Sequence, residues 1–349
     1  MPTIRRWIGC MLVLAAAAAG LSACVVIIPF GLPPFSMKWR EEVVQEPEAF
    51  LVRSKILLVD VSGPILSEDG ADLLGEDLNT PERLQGILAL ARKDRRIRAV
   101  LLRVSSPGGG AVASDIMYDE LRRFKEETGV PVYAWAMDVC ASGAYYVSCA
   151  ADQIWAHPGA IVGSVGVISV FPSLQGTLRW AQVNMQVIKS GEAKDSGAFW
   201  RNLTDEEREH FQGIVNELHS RFVATVRAGR EGRLRADLDM LADGRVFHAG
   251  DALAAGLIDD TMQLPDAIKR IKDDLQLRDA WVVTYNRGFG TRENIYAGLV
   301  GNPTPAQRRQ WLSGGGLSGV AEGTLPAGLA RLFQNLSSPT FQYLWLPGH

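Results

Sequence analysis

The sequence predicts an α/β protein built on a largely parallel sheet with flanking helices, and two observations carry that expectation. Continuous apolar runs at Ile56 to Val61, Ala99 to Val104 and Val132 to Ala136 lack polar alternation, as in strands buried on both faces, and stretches of helical period separate them. The apolar share, 47% of 349 residues, is enough to bury a substantial core.

Taken in order, Arg5 and Arg6 precede an apolar run from Trp7 to Gly20, the pattern of a secretory signal. The run ends in Leu21-Ser-Ala-Cys24, which resembles a bacterial lipobox, so residues 1–24 read as a signal peptide with lipid attachment at Cys24. The alternative is an uncleaved anchor over residues 7–30, since roughly 20 apolar residues span a bilayer. Either reading places the body of the chain outside the cytoplasm, because the two arginines favour the inner side. Residues 25–50 read as a linker, with Pro33, Pro34 and the Glu41-Glu42 pair opposing helix and packed strand.

A catalytic-type domain is expected over residues 51–280. Helices are predicted near Pro81 and over Ser114 to Glu127. Thr204-Asp-Glu-Glu207 has capping-box spacing, and Phe211, Ile214, Val215, Leu218, Phe222 and Val226 continue at helical intervals. A short strand at Gly244 to His248, a helix over Asp251 to Gly256 and another over Pro265 to Gln276 complete the core. Residues 281–349 read as a partly irregular extension, with one added strand at most, Trp281 to Tyr285. Phe341, Tyr343, Trp345 and Leu346 read as packing contacts, and the extension as partly disordered or docked on a partner.

Composition excludes several classes. A net charge of −3, from 36 basic and 39 acidic residues, gives no basic stripe and argues against a nucleic-acid partner. The four cysteines, at positions 10, 24, 140 and 149, form neither a CxxC pair nor a zinc-spaced cluster, so no metal or other cofactor is expected. A Cys140–Cys149 disulfide would join a strand end to the next helix at an awkward separation, so both read as buried thiols.

Candidate chemistry centres on Ser142, in Asp138-Val-Cys-Ala-Ser-Gly-Ala-Tyr-Tyr146, where a strand stops at small residues and helix begins. A serine there projects its hydroxyl beside free backbone N–H groups. His157 is the only nearby histidine and reads as structural, whereas Lys189-Ser-Gly-Glu-Ala-Lys194 lies downstream, so Ser142 and Lys194 together suggest a Ser/Lys hydrolase. Taken alone, Lys194 reads better as a solvated surface lysine. Ser105-Ser-Pro-Gly-Gly-Gly110 offers a turn whose N–H groups suit a bound oxygen. A simple tight turn is the competing reading; a phosphate loop fails for want of Gly-Lys-Ser/Thr.

Ser106-Pro-Gly-Gly109, Ala141-Ser-Gly-Ala-Tyr-Tyr146, Ala151-Asp-Gln-Ile154, Gly163-Ser-Val-Gly-Val-Ile168, Lys189-Ser-Gly191 with Lys194-Asp195, Val246-Phe247 and Gly256-Leu-Ile-Asp259 occur in the order and spacing of the signal peptide peptidase A (SppA) family. The chain resembles the short, single-domain form from about Ile56 to Ile271. Ser105 and Ala144 depart from it, standing where an asparagine and a second glycine are frequent. The resemblance implies a ClpP/crotonase-like core and a membrane-bound serine peptidase with Ser142 as nucleophile and Lys194 as general base. It further implies oxyanion N–H groups from Gly109 and Gly143, and Ser164 orienting the lysine. Substrates would be unfolded apolar peptides such as signal-peptide remnants, and the dyad would be shared between protomers of a homo-oligomeric ring on the extracytoplasmic side of a bacterial membrane. An acyl-CoA enzyme of the crotonase type and an inactive membrane scaffold are the rivals. Val112, Met117, Val167 and Phe171 are candidates for the peptide groove. A lysine with ordinary pKa near 10.4 is almost wholly protonated at neutral pH, so a base role demands burial against apolar walls, with Asp195 turned elsewhere.

Overall fold

A computed structural model describes residues 39–67, 80–287, 294–296 and 341–344, the last as backbone only. The signal or anchor, with Cys10 and Cys24, lies outside the described residues. Among those described, no helix is long and apolar enough to cross a membrane.

The strands are β1 (Arg40–Gln45), β2 (Lys55–Ser62), β3 (Ile97–Ser106), β4 (Gly108–Gly110), β5 (Val132–Ala141), β6 (Gln153–Ala156), β7 (Ile161–Gly163), β8 (Ile168–Ser169), β9 (Val246–His248), β10 (Asp260–Thr261), β11 (Trp281–Asn286) and β12 (Phe341–Leu344). The helices are α1 (Thr80–Ala91), α2 (Ala111–Thr128), α3 (Gly143–Ser148), α4 (Gln175–Trp180), α5 (Asp205–Gly229), α6 (Leu238–Leu241), α7 (Ala249–Ala255) and α8 (Leu264–Asp274), with a 3-10 turn at Glu192–Asp195. The main sheet runs β1-β11-β2-β3-β5-β6-β10, with β7 against β5 and β9 against β7. Its inner pairs, β11–β2, β2–β3, β3–β5, β5–β6, β6–β10 and β5–β7, are parallel; β1–β11 and β7–β9 are antiparallel.

The apolar runs that predicted strands are explained by burial on both faces. Leu57, Val59 and Val61 with Val100, Leu102 and Val104 pack against α1, α2 and α3, while Ile56, Leu58, Ala99 and Leu101 pack with Trp135, Trp155 and α8. Side chains of successive residues alternate between these two cores, so the buried positions of β2 and β3 cannot turn polar cheaply without a partner. Truncating a leucine there to alanine costs about 2–5 kcal/mol. The polar exceptions are paired, as where buried Arg103 donates to both carboxylate oxygens of Asp60 at 2.7 and 2.8 Å.

Three expectations are corrected. Within the predicted linker, Arg40–Gln45 is strand β1, an edge strand paired with β11 and burying Val44, with Glu41 and Val43 on its exposed face. The core does not close at residue 280, because β11 lies between β1 and β2 with Val282 and Val283 fully buried. In the extension, β12 joins β4 and β8 in a second, three-stranded sheet.

From Gly166 to Arg221 no residue is buried, and Trp180, Val183, Met185, Val187 and Ile188 are exposed. This excursion carries α4, the 3-10 turn and the first two-thirds of α5. Its local order is polar: Thr204 and Glu207 form the predicted capping box, and Arg201 bridges Asp195 and Glu207.

Candidate active site

Strand β5 delivers Ser142 to the corner. The residue adopts φ 54° and ψ −121°, immediately before α3. This backbone costs a non-glycine residue about 1–3 kcal/mol, and it persists because the surroundings fix it. The Ser142 N–H donates to Gly163 O at 2.7 Å, and Ser142 O accepts from Tyr146 N at 2.9 Å. Behind it α3 is buried along its whole length, with Tyr145 donating its hydroxyl to Leu257 O at 2.7 Å and Tyr146 donating to Asp115 at 2.6 Å.

Ser142 is 1% exposed, and its Oγ is buried with no hydrogen-bond partner among the described residues. An unpaired buried hydroxyl costs about 1–3 kcal/mol. Strain and an unsatisfied hydroxyl thus meet at one residue, the combination expected where a group is held for chemistry rather than stability. Gly143, the first residue of α3, has one of the N–H groups that a helix start leaves without an intrahelical acceptor.

The glycine loop is strand β4. Gly108 O accepts from Ile65 N and Gly110 N donates to Ile65 O, each at 2.8 Å, and the Ser106 hydroxyl accepts from Gly108 N at 3.1 Å. Gly109 sits between these contacts, and a Cβ on it would fall 2.0 Å from Ile65 O. The close approach, rather than a tight turn, is what requires glycine here. The helix that begins at Gly143 packs against this strand.

Ser164 follows β7 as Ser142 follows β5, and is 5% exposed. Lys194 is elsewhere in character: it lies exposed on the 3-10 turn of the unburied excursion, and makes no hydrogen bond to Ser142 Oγ. Asp195 faces Arg201 and Lys189, with bonds of 2.9 and 3.0 Å, so it is turned to those cations as expected. That hydrogen bond with Asp195, together with Glu192, raises the pKa of Lys189 and holds it as a cation. Of the groove candidates, Met117 is buried core, Val112 is exposed, Val167 packs partly buried on the core, and Phe171 lines a cavity of about 500 Å³ with Ile168, Ala198 and Arg201. Cys140 and Cys149 are free, buried thiols pushed up to about 12 by burial. His157 accepts from Gly159 N at 3.0 Å, a local turn contact.

Two features escaped sequence reasoning. Arg230, 1% exposed, forks onto Asp259 with two bonds of 2.8 Å, and Asp259 also accepts from Ile154 N at 2.7 Å. This ties the end of α5 to β6 behind the nucleophile helix; Arg230, directly after α5, gave no signal of it in the sequence. The second is the pairing of β4 and β8 with β12, since a four-residue strand far along an irregular stretch has no period to read.

The comparisons with known proteins show a peptidase. Residues 124–278 match peptidase family S49. The chain is 35% identical over 202 residues to a Methanocaldococcus jannaschii protein provisionally named a protease, covering 58% of this chain and 63% of that one. It is 31% identical over 245 residues to an Enterococcus faecium protein provisionally named signal peptide peptidase SppA, covering 70% of each. It is 32% identical over 253 residues to the chloroplastic serine protease SPPA of Arabidopsis thaliana, covering 71% of this chain and 36% of that protein. The chain belongs to the SppA family of serine peptidases, family S49.

Proposed function

We propose that this protein is a membrane-associated serine endopeptidase that cuts unfolded apolar peptides, signal-peptide remnants among them, with Ser142 as nucleophile and Lys194 of a neighbouring copy as general base. One observation carries the reading. Among the described residues the Ser142 hydroxyl is buried and unpartnered, whereas Lys194 stands exposed on an excursion with no buried residue, which supports a dyad completed between chains. A second copy packing its excursion over the corner would dehydrate the amine and bury Trp180 and Ile188, which are otherwise 86% and 102% exposed. The mostly parallel sheet is compatible with a ClpP-like core, and the arginine-led apolar N-terminus ending at Cys24 supports attachment to the outer face of a bacterial membrane.

The chemistry needs no cofactor. Ser142 Oγ attacks the peptide carbonyl as the neutral lysine amine takes its proton, and the N–H groups of Gly109 and Gly143 hold the developing oxyanion. The ammonium returns the proton to the leaving amine, and the amine then activates water to release the acyl group. Ser164 would hydrogen-bond the amine and aim it. A fluorophosphonate probe tests the nucleophile: the intact protein acquires one adduct that Ser142→Ala lacks, and equal labelling of both would overturn the assignment.

A further inference from the structure

The loop between β1 and β2, residues 46–54, is firmly held and yet presents its apolar side chains to solvent. Asp279, itself 8% exposed, accepts at one carboxylate oxygen from Glu48 N at 2.7 Å and Ala49 N at 3.1 Å, and at the other from Lys272 at 2.8 Å. Trp281 donates its ring N–H to Val52 O at 2.9 Å. Between these fixed points Phe50 and Leu51 are 91% and 100% exposed. Leu51 stands at φ 59°, a backbone conformation uncommon for residues other than glycine. The bracing thus keeps two large apolar side chains out of either core.

The same end of the main sheet is cationic. Trp281, Lys55 and Ile97 pair with one another at the starts of β11, β2 and β3, and the chain enters those three strands past Arg278, Arg53 and Arg95. These arginines and Lys93 are exposed and form no ion pair among the described residues. They outnumber the exposed carboxylates of the loop itself, Glu46 and Glu48. Two apolar side chains are too few for a stable protein interface, which takes about 800 Å² from each partner. Apolar groups at headgroup depth with cations around them are instead the general chemistry of binding to an anionic lipid surface. We propose that Phe50 and Leu51 insert into a membrane surface that carries anionic lipids, with Arg53, Lys93, Arg95 and Arg278 against the headgroups. The proposal rests on the membrane attachment proposed above. Chain length permits it: a segment as long as residues 25–39 reaches at most about 50 Å, and β1 carries the chain only about 20 Å from Arg40 to the loop.

The test places the photoreactive residue p-benzoylphenylalanine at position 50 of the full chain, reconstituted in vesicles of phosphatidylcholine alone or with added phosphatidylglycerol. Irradiation should join position 50 to lipid in the phosphatidylglycerol vesicles, whereas the same group at Met240, also exposed, should give no lipid adduct. A cation near an anionic surface is worth about fivefold in binding, so Lys93→Gln together with Arg95→Gln should lower the adduct roughly 25-fold, and phosphatidylcholine alone should lower it too. An adduct to protein in place of lipid, equal lipid adducts at positions 50 and 240, or a yield indifferent to both changes of charge overturns the proposal. Sedimentation with the vesicles reads attachment separately. A chain that sediments but gives no lipid adduct at position 50 overturns the inserted tip and leaves attachment standing; one that does neither overturns both.

Discussion

Ser142 and Ser164 stand side by side, each one residue beyond the paired ends of neighbouring parallel strands. Ala141 pairs with Gly163, Ser142 donates its N–H to Gly163 O at 2.7 Å, and the two serines leave the sheet with φ of 54° and 52°. Such backbone is rare for residues other than glycine, and two adjacent instances mark one corner built for function. In the proposed mechanism Ser164 bonds the lysine amine that arrives over Ser142. Ser164→Ala is expected to lower kcat about 10- to 100-fold with little change in KM. The pH–rate profile should move to higher pH, because a hydroxyl donating to the neutral amine favours the proton-free form; a profile that stays in place would remove the orienting role.

Gly109→Ala tests the close approach. Its Cβ would press on Ile65 O from 2.0 Å, so β4 must move and carry the N–H at position 109 out of place. Loss of an oxyanion donor costs about 100- to 1000-fold in kcat. Because the damage is confined to the loop, circular dichroism should remain that of the unaltered protein while turnover falls.

The Arg230–Asp259 pair predicts a stability effect away from the corner. Burial raises the Asp259 pKa, but the Arg230 guanidinium outweighs it, and the net shift is downward. The stabilisation is accordingly present above the ordinary aspartate range and lost as pH falls below about 4. Arg230→Met leaves a half-buried carboxylate without its main partner, and unfolding in urea should show a loss of about 3–5 kcal/mol at neutral pH that narrows on acidification.

Arg201 acts on the excursion. Its bonds to Asp195 and Glu207 join the Lys194 turn to the start of α5, and they hold the Glu207 carboxyl down at about 2. The link is intact above the usual glutamate range and dissolves as pH falls towards that value. Arg201→Ala should cut activity at least about tenfold by freeing the turn, while the melting temperature, set by a core that holds none of these residues, changes little. A melting loss equal to that of a core truncation would contradict this.

The core was legible in the sequence because burial on both faces keeps β2, β3 and β5 mostly apolar, with buried charges such as Asp60 and Arg103 paired, and because the capping box at Thr204 and the glycine at position 256 mark helix ends by local chemistry. The corner at Ser142 was legible for a related reason: small residues must follow a strand that feeds directly into a buried helix. Edge strand β1 was hidden by Glu41 and Glu42, since an edge tolerates charge on its open side. The tail strand was hidden because it is four residues long and pairs through backbone groups of three glycines and the two residues of β8, which impose no side-chain pattern. Lys194 was singled out by its place downstream of Ser142 and its role as base by the resemblance, not by environment: among the described residues it stands exposed.

Mixing two inactive variants tests the central claim most directly. Ser142→Ala and Lys194→Ala should each be without turnover, and co-assembly should restore activity through sites that combine an intact serine from one copy with an intact lysine from the other. No recovery in a mixture shown to co-assemble would contradict a dyad shared between chains.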